Sequence, residues 1–408
     1  MLSFIQRKYE RCMDFISCYG FKFFLAKIYI KVFLTPLSRV CQLRIPQTYS
    51  FITLGTHGAG FHSLLYFISL LHSNPQNLKA DNIARNTHVV GGGGILPISM
   101  HALRDEVATD FSLAIKTELL LNSDYATWGI TLDGATPKKP QWIQTHLTYK
   151  VPAICLVRDP IDLLISALNY NTKCQNTSAY ILASLKEIRE RSVTPYATTI
   201  AFYTNYKQIK PFVKEMLYID MKELVGESAL GGMEKIASFL GFALPKNQDF
   251  NMRINDWLTR VMPLKLTING YKVFVSVFEG HFSSSDAFPF YHARDKRLYI
   301  KKDYTHPLFP NRKLFISTTS RHFPDELHNE LFQLIDSQIR ILYDKTKIYI
   351  DNRVTLEKFI ATLCENPKIA FDLAKAIESQ ILHLKATCPQ IIESWESYKK
   401  FLTMLESK

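Results

Sequence analysis

The sequence feature that most constrains the fold is a glycine-rich turn between a β-prone run and a helix-forming run. The β-prone run is Tyr49–Leu54, and the stretch from Phe61 to His72 carries apolar residues at the spacing of one broad helical face. The turn between them reads Gly55-Thr56-His57-Gly58-Ala59-Gly60. The order is therefore strand, glycine-rich turn and helix, which is typical of α/β proteins.

Two later stretches repeat this alternation of strand and helix. Val151–Val157 has the composition of a buried parallel strand, and Ile161–Tyr170 that of the helix after it. Leu217–Ile219 is a third short strand, and Met233–Leu240 is a helix closed by Gly241 as its C-cap. Strands that alternate with helices predict an α/β fold with a parallel sheet flanked by helices.

Beyond residue 245 the pattern changes. Leu264–Ile268 and Tyr271–Phe278 flank Asn269-Gly270, a pair that supplies the positive φ angles of a type I′ hairpin turn. From Pro324 onward the chain is mostly helical, and the predicted helices are Asp325–Tyr343, Thr355–Cys364 and, as two or more helices, Pro367–Leu405. The predicted regions are a basic N-terminal segment (1–48), a core (49–245), a hairpin-containing insertion or continuation of the core (246–323) and a helical C-terminal region (324–408).

The positive charge is concentrated at the N-terminus. The chain carries 49 basic and 37 acidic residues, a formal net charge of +12. Residues 1–50 hold eight Lys or Arg residues against Glu10 and Asp14, so half of the excess lies in an eighth of the length. Aromatic and aliphatic residues are interleaved with these charges, which favours an amphipathic segment over residues 1–45 that can lie on an anionic membrane surface. The alternative is a helix that packs against its own domain.

The sequence indicates a reduced, cytoplasmic protein, peripheral to the cytoplasmic membrane if its N-terminus binds lipid. Lys or polar residues interrupt the apolar runs before the ~20 residues that a membrane span requires, and no signal peptide is recognisable. The seven cysteines are scattered, with no CxxC pair and no zinc-finger spacing, so no metal is expected. The basic residues lack a nucleic-acid recognition motif, and no nucleic-acid partner is expected.

Two polar clusters stand near the ends of candidate strands, where open α/β sheets bind ligands. In Gly55–Ser63, glycines let backbone N–H groups approach a phosphate, and the following helix N-terminus adds partial positive charge. The same turn can also be a simple tight connection. Trp142–Leu147 contains His146, which is either a functional group or one of the many structural histidines.

A third cluster follows the buried run that ends at Val157. Arg158 stands at the strand end, Pro160 can occupy the first helical turn, and Ser166 lies two turns into the helix. An arginine and a hydroxyl so placed can hold one phosphate together. The alternative is a structural ion pair between Arg158 and Asp162.

Taken together, the three clusters resemble the sulfotransferases that use 3′-phosphoadenosine 5′-phosphosulfate (PAPS). That family carries Arg-x-Pro-x-Asp with a serine eight residues after the arginine, and Arg158 and Ser166 fit this spacing. The resemblance implies that these two residues contact the 3′-phosphate of the donor. Thr145-His146-Leu147 resembles the family's Lys-Thr-His-Leu strand end, which implies that His146 is the general base.

The glycine-rich turn resembles the family's loop for the 5′-phosphosulfate. The donor-binding residues that this resemblance implies are His57, Gly58, Ala59, Gly60, Phe61 and His62. Leu217–Asp220 and Met233–Gly241 look like the strand and helix after the donor site, so the resemblance covers about residues 50–245 in the expected order. It implies a P-loop-like sheet of the sulfotransferase type, to which the sequence pattern after Pro324 adds a mostly helical C-terminal extension.

The chain departs from the sulfotransferase pattern at two lysines. Gly58 stands where the loop lysine contacts the transferring group, and Gln144 stands where a lysine precedes the Thr-His-Leu sequence. His57 or His62 is a candidate for the lost positive charge. The whole chain is also similar to a bacterial family labelled sugar transferases and associated with capsular glycans.

The resemblance implies transfer of a sulfuryl group from PAPS to a hydroxyl of a glycan or glycolipid, with His146 removing the hydroxyl proton. Two alternatives remain open. The same frame could transfer another nucleotide-activated group, phosphoryl-type or sugar, to a surface or capsular polysaccharide. The chain could also be a catalytically inactive nucleotide- or glycan-binding module, which the missing lysines favour.

Overall fold

A computed structural model describes two compact units of the chain. The described residues are 13, 21–29, 32, 49–56, 58–73, 95–99, 127–133, 147, 150–170, 173–190, 195–196, 199–245, 250, 262, 264–277, 299–310, 313–318, 320 and 322–407. The parallel-sheet unit contains those between 42 and 252 together with 349–407. The antiparallel-sheet unit contains those between 253 and 348 together with the N-terminal helix.

The helices and strands of the described residues are numbered in chain order. The strands are β1 (Ile52–Gly55), β2 (His72–Ser73), β3 (Ile95–Ser99), β4 (Thr127–Asp133), β5 (Val151–Val157), β6 (Val213–Asp220), β7 (Phe242–Ala243), β8 (Leu264–Ile268), β9 (Tyr271–Ser276), β10 (Tyr299–Thr305) and β11 (Lys313–Thr318). The α-helices are α1 (Phe21–Tyr29), α2 (Phe61–Leu70), α3 (Pro160–Leu168), α4 (Ser178–Glu190), α5 (Phe202–Ile209), α6 (Ala229–Leu240), α7 (His328–Asp351), α8 (Leu356–Cys364), α9 (Pro367–Thr387), α10 (Pro389–Glu393) and α11 (Glu396–Glu406). None of them is both long and apolar enough to cross a bilayer.

The core of the parallel-sheet unit is a sheet in the order β3-β4-β1-β5-β6, in which every pairing is parallel. β1 is central, since Ile52 pairs with Ile130 on one side and with Ala153 on the other. β5 is buried along nearly its whole length, as a parallel strand covered on both faces must be. The predicted α/β fold, a parallel sheet flanked by helices, is confirmed.

The helices that follow the strands begin and end at the residues that local chemistry favours. Pro160 occupies the first position of α3, and the carboxylate of Asp159 caps that helix by accepting the N–H of Ile161 at 3.0 Å. α6 ends at Gly241, whose φ of +69° confirms the predicted C-cap.

The C-terminal helices α8 to α11 belong to the same unit as the parallel sheet. Asn169, at the end of α3, donates from Nδ2 to the carbonyl of Val354 at 3.0 Å, and its Oδ1 accepts the N–H of Val354 at 2.8 Å. Trp395 and Phe401 are fully buried. The expectation of a mostly helical C-terminal region is confirmed, and residues 367–405 divide into α9, α10 and α11.

The antiparallel-sheet unit is built on strands in the order β10-β11-β9-β8. Asn269 and Gly270 have φ angles of +46° and +82°, so the predicted hairpin between β8 and β9 is confirmed. His306, after β10, is fully buried and lies 3.0 Å from Asp336 Oδ1 on α7. Its Nδ1 accepts the N–H of Leu308 at 3.1 Å, so Nε2 is the protonated nitrogen that donates to the carboxylate.

Candidate functional site

The strand order of the parallel sheet changes direction between β1 and β5. The chain continues from β1 to β3 and β4 on one side of it, whereas β5 and β6 lie on the other side. Open α/β sheets bind ligands outside the carboxyl ends of their strands at such a switch point. The loop after β1 and the residues after β5 therefore stand where a ligand is expected.

The loop after β1 has a backbone shape that only glycine adopts readily. Gly58 and Gly60 have φ angles of +90° and +82°, in the left-handed region. Gly60 directly precedes α2, and its carbonyl oxygen accepts the N–H groups of Ser63 and Leu64 at 3.0 and 3.2 Å. The first N–H groups of a helix lack intrahelical acceptors and carry partial positive charge, so this end of α2 is suited to an anion.

Arg158 connects the end of β5 to the glycine loop. Its Nη1 donates a hydrogen bond of 2.7 Å to the carbonyl oxygen of Gly58, although the two residues are 100 positions apart. Ser166 lies beside the same glycine, because a Cβ atom at Gly58 would stand 3.4 Å from Ser166 Oγ. The fold thus brings together three of the residues that the sequence singled out.

Two other predicted donor-binding residues, Ala59 and Phe61, have buried side chains that offer little to a ligand. Ala59 and Phe61 are buried, and the ring of Phe61 fills the space in front of Gly55, where a Cβ atom would approach it to 2.2 Å. The N–H of Ala59 already donates to the carbonyl of Thr56 at 3.1 Å. Phe61 can therefore offer a ligand its backbone N–H, as the first residue of α2.

The structure gives little information on the three histidines that the sequence predicts at the site. His57 and His146 lie outside the described residues, and for His62 the structure gives only its place in the first turn of α2. Of the Trp142–Leu147 cluster, Leu147 is described and is buried. The proposed general base thus stays a prediction from the sequence.

Two polar residues at the end of β1 were not singled out from the sequence. Asn205, on α5, is buried and donates from Nδ2 to the carbonyl of Gly55 at 3.1 Å. Thr56 is fully buried, and its hydroxyl has no hydrogen-bond partner among the described residues. The amide of Asn205 thus fixes the end of β1, where the glycine loop begins. Single Asn and Thr residues at helical and loop positions carry no sequence signal for such roles.

Three carboxylates lie near Arg158: Asp159 follows it in the chain, Asp162 is in the first turn of α3, and Asp220 is paired with Val157 across the sheet. All three favour the charged guanidinium, but burial has the larger effect and lowers the pKa of Arg158. Burial also raises the pKa of Asp159 to about 6 and raises that of Asp220. The edge of the sheet next to the glycine loop therefore holds a half-buried guanidinium and the buried carboxylates of Asp159 and Asp220.

Each of the three carboxylates accepts a hydrogen bond from the segment 395–398. The bonds are Trp395 Nε1 to Asp220 Oδ2 at 2.6 Å, Ser397 Oγ to Asp162 Oδ1 at 2.7 Å, and Tyr398 N to Asp159 Oδ2 at 3.0 Å. The donors lie 175 to 239 positions from their acceptors. Sequence reasoning missed these contacts because nothing local in the C-terminal helices signals them.

A cavity of about 570 Å³ lies beside β6, within the size range of small-molecule sites. It is lined by β6, by the turn after it, by α6 and by residues 388–394. Lys222 donates to the carbonyl of Ser394 at 2.5 Å, and Lys235 pairs with Glu223. Within the described part of the chain, no group of three His, Cys, Asp or Glu side chains could hold a metal ion.

Comparison with known proteins gives one family match and one structural match to report. The model of a protein family of unknown function (DUF2972) matches residues 218–407, which run from β6 into the C-terminal helices. No protein of curated function matches the chain in sequence. The crystal structure of the mouse sulfotransferase SULT7A1 complexed with PAP is similar with a TM-score of 0.31 and 18% identity, over 50% of this chain and 62% of that chain. The chain thus matches less than two thirds of the length of that sulfotransferase.

Proposed function

We propose that the chain is a group transferase that binds a 3′-phosphorylated adenosine nucleotide and moves a sulfuryl group from PAPS to a hydroxyl of a glycan or glycolipid. The observation that carries the proposal is the meeting of Gly58, Arg158 and Ser166 at the switch point of the parallel sheet. An arginine, a hydroxyl and a positive-φ glycine loop before a helix are the groups that phosphate recognition requires.

The residues present suit such a donor. Arg158 has five N–H donors and, within the part of the chain that the structure describes, uses one on Gly58, so others remain for a phosphate. A Cβ atom at Gly58 would occupy the space in front of Ser166 Oγ, so the glycine keeps that space open. The amides of the first turn of α2 would serve the second anionic group of the same ligand.

The proposed chemistry is an in-line displacement. When bound, PAPS supplies an activated sulfuryl group and adenosine 3′,5′-bisphosphate (PAP) leaves as the S–O bond to the acceptor oxygen forms. His146 would hold the proton lost by the acceptor hydroxyl, a role typically worth roughly 10²–10⁴-fold in rate. The amides of the glycine loop would stabilise charge on the transferring group. The proposed acceptor belongs to a surface or capsular polysaccharide, and the proposed reaction takes place in the cytoplasm. This acceptor agrees with the similarity of the chain to the bacterial family labelled sugar transferases.

Calorimetry with PAP and with AMP tests the donor. We expect PAP to bind more tightly, and Arg158→Ala to weaken PAP binding by roughly 1.5–3 kcal/mol while AMP is affected far less, because a charge-assisted hydrogen bond to the 3′-phosphate is lost. Arg189→Ala is the matched control, since Arg189 forms a half-exposed ion pair with Asp372 at 3.3 Å.

The outcomes separate the alternatives. Equal affinity of the wild type for PAP and AMP would favour a donor without a 3′-phosphate. Tight PAP binding without transfer of labelled sulfate from PAPS to any glycan acceptor would favour the inactive module. Full transfer activity in His146→Ala would exclude His146 as the base.

An anionic membrane surface is the proposed partner of the N-terminal segment. Four apolar side chains at helical spacing on and just beyond α1 are exposed, namely Phe21 (60%), Leu25 (49%), Ile28 (41%) and Val32 (55%). Residues 1–50 carry eight basic side chains against two acidic ones. An apolar stripe within a basic segment is suited to the interface of anionic lipid.

Flotation of the full chain with anionic vesicles tests this partner. We expect Phe21→Ser/Leu25→Ser to reduce flotation, because less apolar surface enters the interface. Ile348→Ser/Leu382→Ser is the control, since both side chains are exposed apolar groups outside the segment. Equal flotation of the two double variants would contradict the proposal.

A further inference from the structure

The carboxylates around Arg158 receive donors from the far end of the chain. Trp395 is fully buried, and its indole N–H lies 2.6 Å from Asp220 Oδ2, on a side chain that is itself buried. A carboxylate away from water needs hydrogen-bond donors or a cation, because its charge is costly there. The indole N–H of Trp395 supplies one such donor, so this oxygen of Asp220 does not depend on Arg158 for a partner.

Asp159 and Asp162 are held in the same way. Oδ1 of Asp159 accepts the N–H of Ile161 and Oδ2 accepts the N–H of Tyr398, both at 3.0 Å, so each oxygen has a donor. Oδ1 of Asp162 accepts the hydroxyl of Ser397 at 2.7 Å. All three carboxylates thus have partners in the protein other than a guanidinium.

The guanidinium of Arg158 is near three anions and yet is turned to the glycine loop. Asp159 adjoins Arg158 in the chain, Asp162 is in the first turn of α3, and Asp220 is paired with Val157 across the sheet. Among the described residues, the hydrogen bond formed by its Nη1 goes to the carbonyl of Gly58. A carboxylate that lost its donor would be expected to attract this neighbouring cation, since opposite charges attract more strongly where they are partly shielded from water.

We propose that the segment 395–398 is a positioning device for Arg158. By supplying donors to the three carboxylates, it leaves the guanidinium directed at the glycine loop, where a 3′-phosphate can be bound. The ligand in this inference rests on the proposed function, whereas the placement of the guanidinium does not. Ser397 is the positioning residue best suited to a test. Its substitution by alanine removes one oxygen atom and so changes the packing less than a substitution of Trp395 or Tyr398 would.

Ser397→Ala should lower the affinity for PAP and leave that for AMP unchanged. We expect a loss of roughly three- to tenfold, because Asp162 then competes with the phosphate for the guanidinium. The double variant Ser397→Ala/Asp162→Asn should restore PAP affinity, because a neutral amide does not capture the cation. Ser407→Ala, directly after the same helix, is the control, because its hydroxyl donates to the carbonyl of Met404 at 2.8 Å and not to a carboxylate.

A second readout does not depend on nucleotide. The Nε–Hε NMR signal of Arg158, assigned by its absence in Arg158→Lys, should shift in Ser397→Ala and return in the double variant. Affinity loss without rescue, or an unchanged NMR signal in Ser397→Ala, would overturn the inference, since a purely structural serine gives no rescue by Asp162→Asn. Equal binding of PAP and AMP to the wild type would overturn the proposed function alone, and the NMR series would still decide how Arg158 is placed.

Discussion

Gly60 shows at the scale of one residue how backbone geometry and a candidate site coincide. Its φ of +82° lies where a side chain is strained, and a Cβ atom there would stand 3.0 Å from the side chain of Met221. The residue also provides the carbonyl that begins α2. The same position therefore affects both stability and the shape of the loop.

Gly60→Ala should lower the free energy of unfolding by roughly 1–2 kcal/mol, the cost of the left-handed conformation for an L-residue. It should also weaken PAP binding, because the added carbon displaces the loop. Gly231→Ala is the matched control, since no atom lies within 4 Å of its Cβ position inside α6, and it should be neutral or slightly stabilising. Chemical denaturation measures both variants, and equal stability of the two would contradict the argument.

Asp159 makes stability depend on pH with an unusual sign. Burial raises its pKa in the folded protein to about 6, above the ordinary value of 3.8. Between these values the folded state binds more protons than the unfolded state, so this group's contribution to stability falls as the pH rises from about 4 to about 6. That is the reverse of a carboxylate in a salt bridge.

Asp159→Asn should remove this pH dependence. Between pH 4 and pH 7 the free energy of unfolding of the wild type should fall by roughly 2 kcal/mol relative to the variant, at 1.36 kcal/mol for each pKa unit. Glu406→Gln, at an exposed carboxylate of α11, is the control and should follow the wild type. Parallel curves for wild type and Asp159→Asn would show that Asp159 stays ionised.

At the scale of elements, caps fix where the C-terminal helices begin. Thr355 is exposed and lies just before α8, where its hydroxyl oxygen accepts the N–H of Lys358 at 3.2 Å. This hydrogen bond satisfies one of the first-turn N–H groups that have no partner inside the helix. Because the side chain is exposed, its energetic contribution is that of the cap alone.

Thr355→Ala should therefore lower the free energy of unfolding by about 0.5–2 kcal/mol, the usual cost of losing an N-cap. Thr355→Ser keeps the hydroxyl and should stay close to the wild type. Urea denaturation monitored by circular dichroism measures the difference. A Ser variant as unstable as the Ala variant would assign the effect to the lost methyl group instead.

At the scale of the whole molecule, the net charge of +12 governs any association with an anionic surface. Half of that excess lies in residues 1–50, so the proposed lipid binding should weaken as salt rises, because exposed charges are screened beyond about 8 Å at physiological ionic strength. Burial of apolar side chains from α1 should leave a part that resists salt. Flotation over a salt series measures the two parts, and flotation that is independent of salt would contradict the electrostatic share.

The sequence alone determined those features that depend on neighbours along the chain. The periodicity of apolar residues, the Asn269-Gly270 turn and the C-cap at Gly241 predicted elements that the structure contains, because backbone conformation there follows from local sterics and hydrogen bonds. The spacing of Arg158 and Ser166, which one strand end and one helix impose, likewise comes from the local sequence, and their role in binding stays a prediction.

Only the tertiary structure decided which distant groups meet. The contact of Arg158 with Gly58 spans 100 positions, and that of Tyr398 with Asp159 spans 239. Such contacts depend on the order of the strands and on the packing of the C-terminal helices against the parallel-sheet core. That packing is driven by the burial of apolar surface. The residues around an aspartate at a strand end do not indicate its hydrogen-bond partner. The local sequence is the same whether an arginine or a tryptophan donates to the carboxylate.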